Sequence, residues 1–385
     1  MKNVHDVIVI GLGVMGASAL WRAAQKCTKA LGIDAAGPTH CYGSSHGESR
    51  IFRRAYWEGE QYLPLLNHAD FLWHELAQST DKKILFRTGG IFIGPKSSSV
   101  VDGSIKTANR GGIDHEVLTS SKIRGFLPAF NVHDGMHAVY EPGAYAISAR
   151  DSRLEMMNEA VRHGARIEFG DNVVCLENHE AGVRATTKRG CTHYAKSVIV
   201  TTGPWMTNNL MKELTEHLEP RQVPVYWFSP KANSERYFLK ENLPVFLYEF
   251  ENGDILYGAP SISSSEPGVK IGFHNRQQTP ANADWKNTPI QQKHITEISE
   301  AITSIFPKLE SLPTHVKNCF YTMSTDESFL IGKSKTLKKA YFSSACSGHG
   351  YKFAPAIGDA LANMAVGQKP CFSLSAFSVD RFSST

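Results

Sequence analysis

The chain has 385 residues, 42% hydrophobic and 20% charged, which allows a full core and excludes global disorder. At about 150 residues per domain, this length predicts two or three domains. Basic residues exceed acidic ones by only 41 − 37 = 4, evenly spread, which argues against nucleic acid or a membrane surface as partner.

The first predicted strand is Asp6–Ile10, almost continuously apolar, as a parallel strand covered on both faces should be. A glycine turn, a helical stretch from about Met15 to Ala30 and a short strand Leu31–Asp34 complete a βαβ unit. Residues 62–78 read as an amphipathic helix, and short strands such as Gly90–Ile93 follow between about 84 and 141. Residues 150–163 read as a helix; β character returns at Ile167–Phe169, Val173–Leu176 and Ser197–Val200. From about 220 to 320 the pattern is mostly β: Val223–Phe228, Phe246–Phe250, Ile255–Gly258, Val269–His274 and Cys319–Met323, interrupted by a helix over about 289–304. The tail gives a strand Ala340–Ser344, a glycine turn and a helix from about Tyr351 to Val366. No apolar run reaches the roughly 18 residues of a membrane-spanning helix. The termini match no leader, lipidation or peroxisomal signal. Seven scattered cysteines without a CxxC pair argue against a disulfide framework or a zinc site, and a cytoplasmic setting is expected.

Gly11-Leu12-Gly13-Val14-Met15-Gly16 fits GxGxxG between strand and helix. Gly11 permits the tight turn, Gly13 lets the backbone approach a pyrophosphate, and Gly16 allows close helix–strand packing. The helix N-terminus, opened by Val14 and Met15, directs N–H groups at the phosphates. Asp34 ends the second strand, 34 − 11 = 23 positions on, where a carboxylate accepts hydrogen bonds from a ribose. This predicts dinucleotide binding without separating FAD from NAD.

Four further patterns bear on chemistry. If the chain is helical from about Ser45, then His46, Arg50 and Arg53 share one face and suit an anion; the alternative is that Arg54 and one neighbour are solvated and the rest pair with core carboxylates. In Val269–His274, alternation puts Lys270 and His274 on one face with Gly272 leaving space between them; an ordinary half-exposed strand looks the same. Cys319 and Tyr321 share a strand face, although a buried cysteine is usually a small hydrophobe. Lys352 falls in a first helical turn, against the macrodipole, a placement that fits either a bound anion or a solvated lysine.

Together, GLGVMG (11–16), the acid in GIDAAGPTHCYGSSHGESRIFRRAY (32–56), VIVTTGPW (198–205), VKIGFH (269–274), NCFYTMSTDESFLIG (318–332) and SGHGYKF (347–353) resemble the monomeric sarcosine oxidase family, which includes N-methyltryptophan and pipecolate oxidases. The motifs keep the family's order from residue 6 to about 382. The resemblance implies an α/β fold: a Rossmann-type FAD-binding domain (1–84, 142–218 and 319–385) interrupted by a substrate domain with a mixed β-sheet and helices (85–141 and 219–318). It implies FAD, attached through a thioether from Cys319 to the flavin 8α-methyl, with Ser44, Val174, Gly348, Gly350 and Lys352 among the cofactor contacts. It matches Arg53 and Lys352 to the substrate-carboxylate site, and His46 and Arg50 to flavin-facing basic residues. Lys270 matches the lysine of oxygen activation; His274 and Tyr321 match the substrate-pocket pair. Tyr257 and Tyr248 are expected to shape substrate choice.

Four positions depart from the family pattern: Ala345 and Cys346 before SGHG, Gly332 where Asp is frequent, and Ser45 before His46 as in the pipecolate branch. The expected function is oxidation of an N-methyl amino acid by O2 to formaldehyde, a primary amino acid and hydrogen peroxide, with a monomer as the family precedent. The alternatives are a cyclic imino acid oxidase releasing no formaldehyde, a NAD-dependent dehydrogenase, and a flavin-bound protein without turnover.

Overall fold

The computed structural model describes residues 4–207, 210–263, 267–281, 289–344 and 347–384. Strands Val4–Ile10 and Ala30–Asp34 pair in parallel, joined by helix Val14–Ala24, so the N-terminal βαβ unit forms as predicted. The helix stops at Ala24, short of Ala30. There the Asp6 carboxylate accepts from the Thr28 hydroxyl (3.2 Å) and the Lys29 N–H (3.1 Å), pinning the chain at the entry to the second strand.

An eight-stranded sheet is built on this unit. Its parallel centre runs Arg166–Phe169, Ala30–Asp34, Val4–Ile10, Thr192–Val200 and Ala340–Ser344. The hairpin Val173–His179/Gly182–Thr187 and the strand Leu330–Lys333 add antiparallel edges. Helices Val14–Ala24, Leu63–Gln78, Ala149–Arg162 and Ala354–Ala365 close one face, with Leu20, Trp21, Trp73, Met156 and Ile357 in a single apolar cluster.

A nine-stranded, mostly antiparallel sheet forms the second layer, with Gly90–Gly94 and Val245–Glu249 its parallel pair. Helix Gln292–Ile305 covers one face, where Phe246, Phe306, Ile298 and Ile302 meet. Strand His315–Ser324 pairs along its length with Leu218–Phe228 in this sheet, so the boundary placed at 319 runs through a strand. Two helices, Ser99–Gly111 and Ser120–Phe126, lie in the stretch read as strands alone. Ser98 and Thr119 cap them by accepting from Val101 N–H and Lys122 N–H.

The largest departure concerns residues 45–54. Ser49–Phe52 is a strand, paired with Tyr145–Ser148 in a small sheet that also holds Leu85–Arg87. The proposed helical stripe of His46, Arg50 and Arg53 therefore does not exist. A strand about a quarter of the chain's length away in sequence takes up the backbone hydrogen bonds a helix would have used.

Candidate active site

A cavity of about 730 Å³ runs from the glycine turn to Lys352. Gly11 adopts φ +84°, a left-handed conformation that favours glycine, and a Cβ on Gly16 would strike the Gly11 carbonyl. Gly11, Gly13, Val14 and Met15 line the cavity, while Gly16 sets the packing beneath it. Asp34 accepts from Leu12 N–H (2.6 Å) and Ala36 N–H (2.8 Å), which fixes its carboxylate at the cavity wall. Buried Arg153 braces the same loop from behind through the carbonyls of Leu12 (3.1 Å) and Pro38; no motif marked it in the sequence.

These residues fit a flavin dinucleotide. Val174 and Tyr42, 47% and 65% exposed, leave apolar surface at the same cavity. Among the described residues, six polar atoms on its walls are buried without a partner: Ser44 Oγ, His46 Nε2, Ser49 Oγ, Thr322 Oγ1, Ser343 Oγ and Ser344 Oγ. Buried polar groups in folded proteins are normally satisfied, so this set calls for a polar ligand.

Arg50 donates to the carbonyls of Ser44 (2.9 Å), His46 (2.6 Å) and Ser49 (2.8 Å), holding the loop that the sequence reading made a helix. Burial first, then the charges of Arg50 and Lys270, push the His46 imidazole down to about 3, so it is neutral at physiological pH. The alternation predicted for Val269–Phe273 is present. Val269, Ile271 and Phe273 join the apolar cluster under helix Gln292–Ile305, whereas Lys270 and His274 line the cavity. Lys270 Nζ donates to Ser49 O (2.6 Å). The space at Gly272 is not open: a Cβ there would lie 2.9 Å from the Tyr257 hydroxyl. Cys319 and Tyr321 also face the cavity, with Cys319 Sγ 4.0 Å from Ser44 O. Cys346 lies outside the described residues. Tyr257 and Leu247 face each other across paired strands at the cavity, but Tyr248 points into the opposite apolar cluster and shapes no part of it.

At the far end, Gly348 (φ +80°) brings the SGHG turn against Tyr321, where a Cβ would sit 2.6 Å from the ring; Gly350 lines the cavity beside it. Lys352 lies in the short 3-10 turn Tyr351–Phe353, just ahead of the last helix rather than in its first turn. Trp73 Nε1 donates to Lys352 O (2.7 Å), and Lys352 Nζ donates to His349 O (3.2 Å). Burial, then the neighbouring Arg53, lowers the Lys352 ammonium to about 7. Arg53 is paired with a buried carboxylate: Nη2 donates to both oxygens of Glu58 (2.8 Å each) and Nη1 to Ala55 O (3.0 Å). Burial opposes ionisation of Glu58, but the Arg53 charge prevails and its pKa falls to about 2. Burial pushes His274 down to about 4, and its ring meets Trp57 edge-on at 6.3 Å. Glu58 and Trp57 had no periodicity to mark them, since they sit in a loop after the strand.

A model of the FAD dependent oxidoreductase family matches residues 6–364. The chain belongs to that family. It is 33% identical to the N-methyl-L-tryptophan oxidase of Yersinia pestis over 98% of this chain and 99% of the relative. It is 30% identical to the monomeric sarcosine oxidase of Streptomyces avermitilis over 95% of this chain and 94% of the relative. Among solved structures it shares its fold with NikD, described as an unusual amino acid oxidase essential for nikkomycin biosynthesis: TM-score 0.84, 19% identity, 98% of each chain covered. The chain is an FAD-dependent flavoprotein oxidase acting on CH–NH donors. No helix among its described residues is long and apolar enough to cross a membrane.

Proposed function

We propose that this enzyme oxidises the secondary amine of an N-methyl amino acid with O2 and water, releasing formaldehyde, the primary amino acid and hydrogen peroxide. One observation carries the reading. Arg53 and the protonated form of Lys352, set against the single carboxylate of Glu58, leave one net positive charge buried at the end of the dinucleotide cavity. That charge suits one substrate carboxylate, and a guanidinium beside an ammonium supplies both directed bonds and a point charge. Anchoring the carboxylate there fixes the C–N bond and lowers the entropic part of the barrier.

FAD supplies hydride acceptance from the amine and delivery of two electrons to O2. The protein's part is positional and electrostatic. Gly11, Gly13, Val14, Met15, Asp34, Ser44, Val174, Gly348 and Gly350 are the proposed cofactor contacts. Lys270, with Arg50 close by and His46 held neutral, keeps positive charge where negative charge develops during oxygen reduction. His274 and Tyr321 flank the amine, and Tyr257 bounds the substrate. Cys319 is the proposed attachment point: its sulfur replaces one hydrogen of the flavin 8α-methyl, and O2 takes the two electrons and two protons as hydrogen peroxide. Segments 1–84, 142–218 and 319–385, the last boundary moved past strand His315–Ser324, are the proposed cofactor domain and also supply Arg53 and Lys352 to the substrate, which Tyr257 and His274 bound from the intervening segments; the enzyme is proposed to act in the cytoplasm as a monomer.

The test is a panel of N-methyl and cyclic amino acids with formaldehyde and peroxide measured together. Equal yields of both support demethylation. Peroxide without formaldehyde, on proline- or pipecolate-type substrates only, replaces it with ring oxidation.

A further inference from the structure

Two cations held together in a buried site repel one another, and Glu58 offsets only one of them. A second compensating group is present. The Arg53 guanidinium lies 4.5 Å from the centroid of the Tyr56 ring, and Lys352 Nζ lies 4.8 Å from the same centroid. Each cation has another ring nearby, Phe92 for Arg53 (5.3 Å) and Phe353 for Lys352 (5.4 Å), but both are more distant and neither is shared. Tyr56 is fully buried, packed edge-on against Tyr62 and Phe353. Its hydroxyl is 2.6 Å from His349 Nδ1. That hydroxyl also hydrogen-bonds the Glu58 carboxylate, and His349 Nε2 faces the carbonyl of Glu327 (3.3 Å). His349 O in turn accepts from Lys352 Nζ. The ring, the histidine and the lysine thus form a closed local arrangement.

We propose that Tyr56 is a positioning residue whose ring holds Arg53 and Lys352 together as one carboxylate clamp. The inference rests on the carboxylate reading given above. The negative face of an aromatic ring attracts a cation, and most strongly where water is excluded. A single ring under both cations lowers their mutual repulsion and favours the protonated form of Lys352. The charged and titratable groups facing Lys352 are Arg53, which disfavours its charge, Glu58, which favours it, and His274 and His349, both held neutral by burial. With its pKa at about 7, Lys352 changes charge near neutrality, so a change in the ring reads out directly as protonation.

The experiment places phenylalanine, then mono-, di- and trifluorophenylalanine, at position 56 of the full FAD-loaded enzyme. Fluorine drains the ring face with little change of shape, which a drastic variant such as Tyr56→Leu does not allow. The probe is methoxyacetate, which carries the carboxylate and no amine; its Kd is measured against pH by perturbation of the flavin spectrum. Tyr56→Phe should keep Kd within about threefold. Each fluorine should then weaken binding, to about tenfold over three. The pH above which binding fades should move to lower values, because the ammonium loses support. A flat series, or a large loss in Tyr56→Phe with no slope beyond it, overturns the proposal. So does an equal slope in kcat/KM for an N-methyl amine lacking a carboxylate. Lys352→Ala serves as the control: if it leaves methoxyacetate binding unchanged, the carboxylate reading itself fails, independently of Tyr56.

Discussion

Arg53, Lys352 and Glu58 share a small buried volume, so removing one changes what the others do. Lys352→Ala should lower kcat/KM for an N-methyl amino acid by roughly 10²–10³-fold, the scale of one lost partner in a buried charge pair. Arg53→Ala should be harsher, because it also leaves Glu58 unpaired and repelling the substrate. Neither should cost as much on the matching amine without a carboxylate. Equal losses on both substrates would mean that these residues hold the fold or the cofactor instead. Lys270 has a different task, and Lys270→Met should separate the half-reactions. Anaerobic reduction by substrate should stay within about tenfold, while the step with O2 slows by about 10²-fold, typical of one lost electrostatic stabiliser. Stopped-flow traces showing equal slowing of both would contradict that role.

Helix Ala354–Ala365 follows directly from the Lys352 turn, and Asp359 anchors it to two other helices. The Asp359 carboxylate accepts from Arg22 Nε (3.0 Å) and pairs with Lys26 (3.2 Å) and His68 (3.1 Å). Burial disfavours its charge, but the hydrogen bond from His68 and the charges of Arg22 and Lys26 outweigh this and hold its pKa well below the carboxylate range. A depressed pKa means that the stabilisation is complete above the unfolded value of about 3.9 and is lost as pH falls through the folded one. Asp359→Asn should therefore destabilise the protein by about 3 kcal/mol at pH 7. Its denaturation midpoint should converge on that of the unmodified protein as pH drops below about 4; a gap that persists unchanged in acid would exclude the ionic explanation. The nearby His68, Asp359 and Cys371 groups come within 4.8 Å of one another, but the surrounding cations already satisfy the carboxylate. Helix Ser99–Gly111 was legible in principle: Ser98 opens it, Val101, Ile105 and Ala108 keep its period, and Gly112 ends it at φ +58°.

The cavity draws its walls from both large sheets and from the small one, so cofactor binding and folding are coupled. If Cys319 carries the flavin, acid denaturation leaves yellow colour with the precipitated protein, and Cys319→Ala releases it. The variant should then show a Tm that rises with added FAD, by the equivalent of about 2.7 kcal/mol at one hundred times Kd. The unmodified enzyme, already loaded, should show none of this dependence. Free flavin in the acid supernatant of the unmodified enzyme, or a Tm insensitive to FAD in the variant, would remove Cys319 from its proposed role.

What the sequence by itself determined is local. The strand–turn–helix–strand of residues 4–34 is written in glycine spacing and apolar periodicity over some thirty residues, and it folds in that order, with the helix ending at Ala24. Period-two alternation likewise assigned Lys270 and His274 to one side of a strand and the apolar residues to the other. Only the tertiary structure decided what those faces meet. Residues 45–54 carry a helical spacing of basic groups, yet Tyr145–Ser148 draws Ser49–Phe52 into a sheet, because hydrogen bonds and packing from a distant segment outweigh a weak local preference. Tyr56 bonds to His349 from 293 residues away, and Arg22 to Asp359 from 337. Contacts between segments that far apart leave no spacing in the chain, since packing in three dimensions, not periodicity along the backbone, selects them.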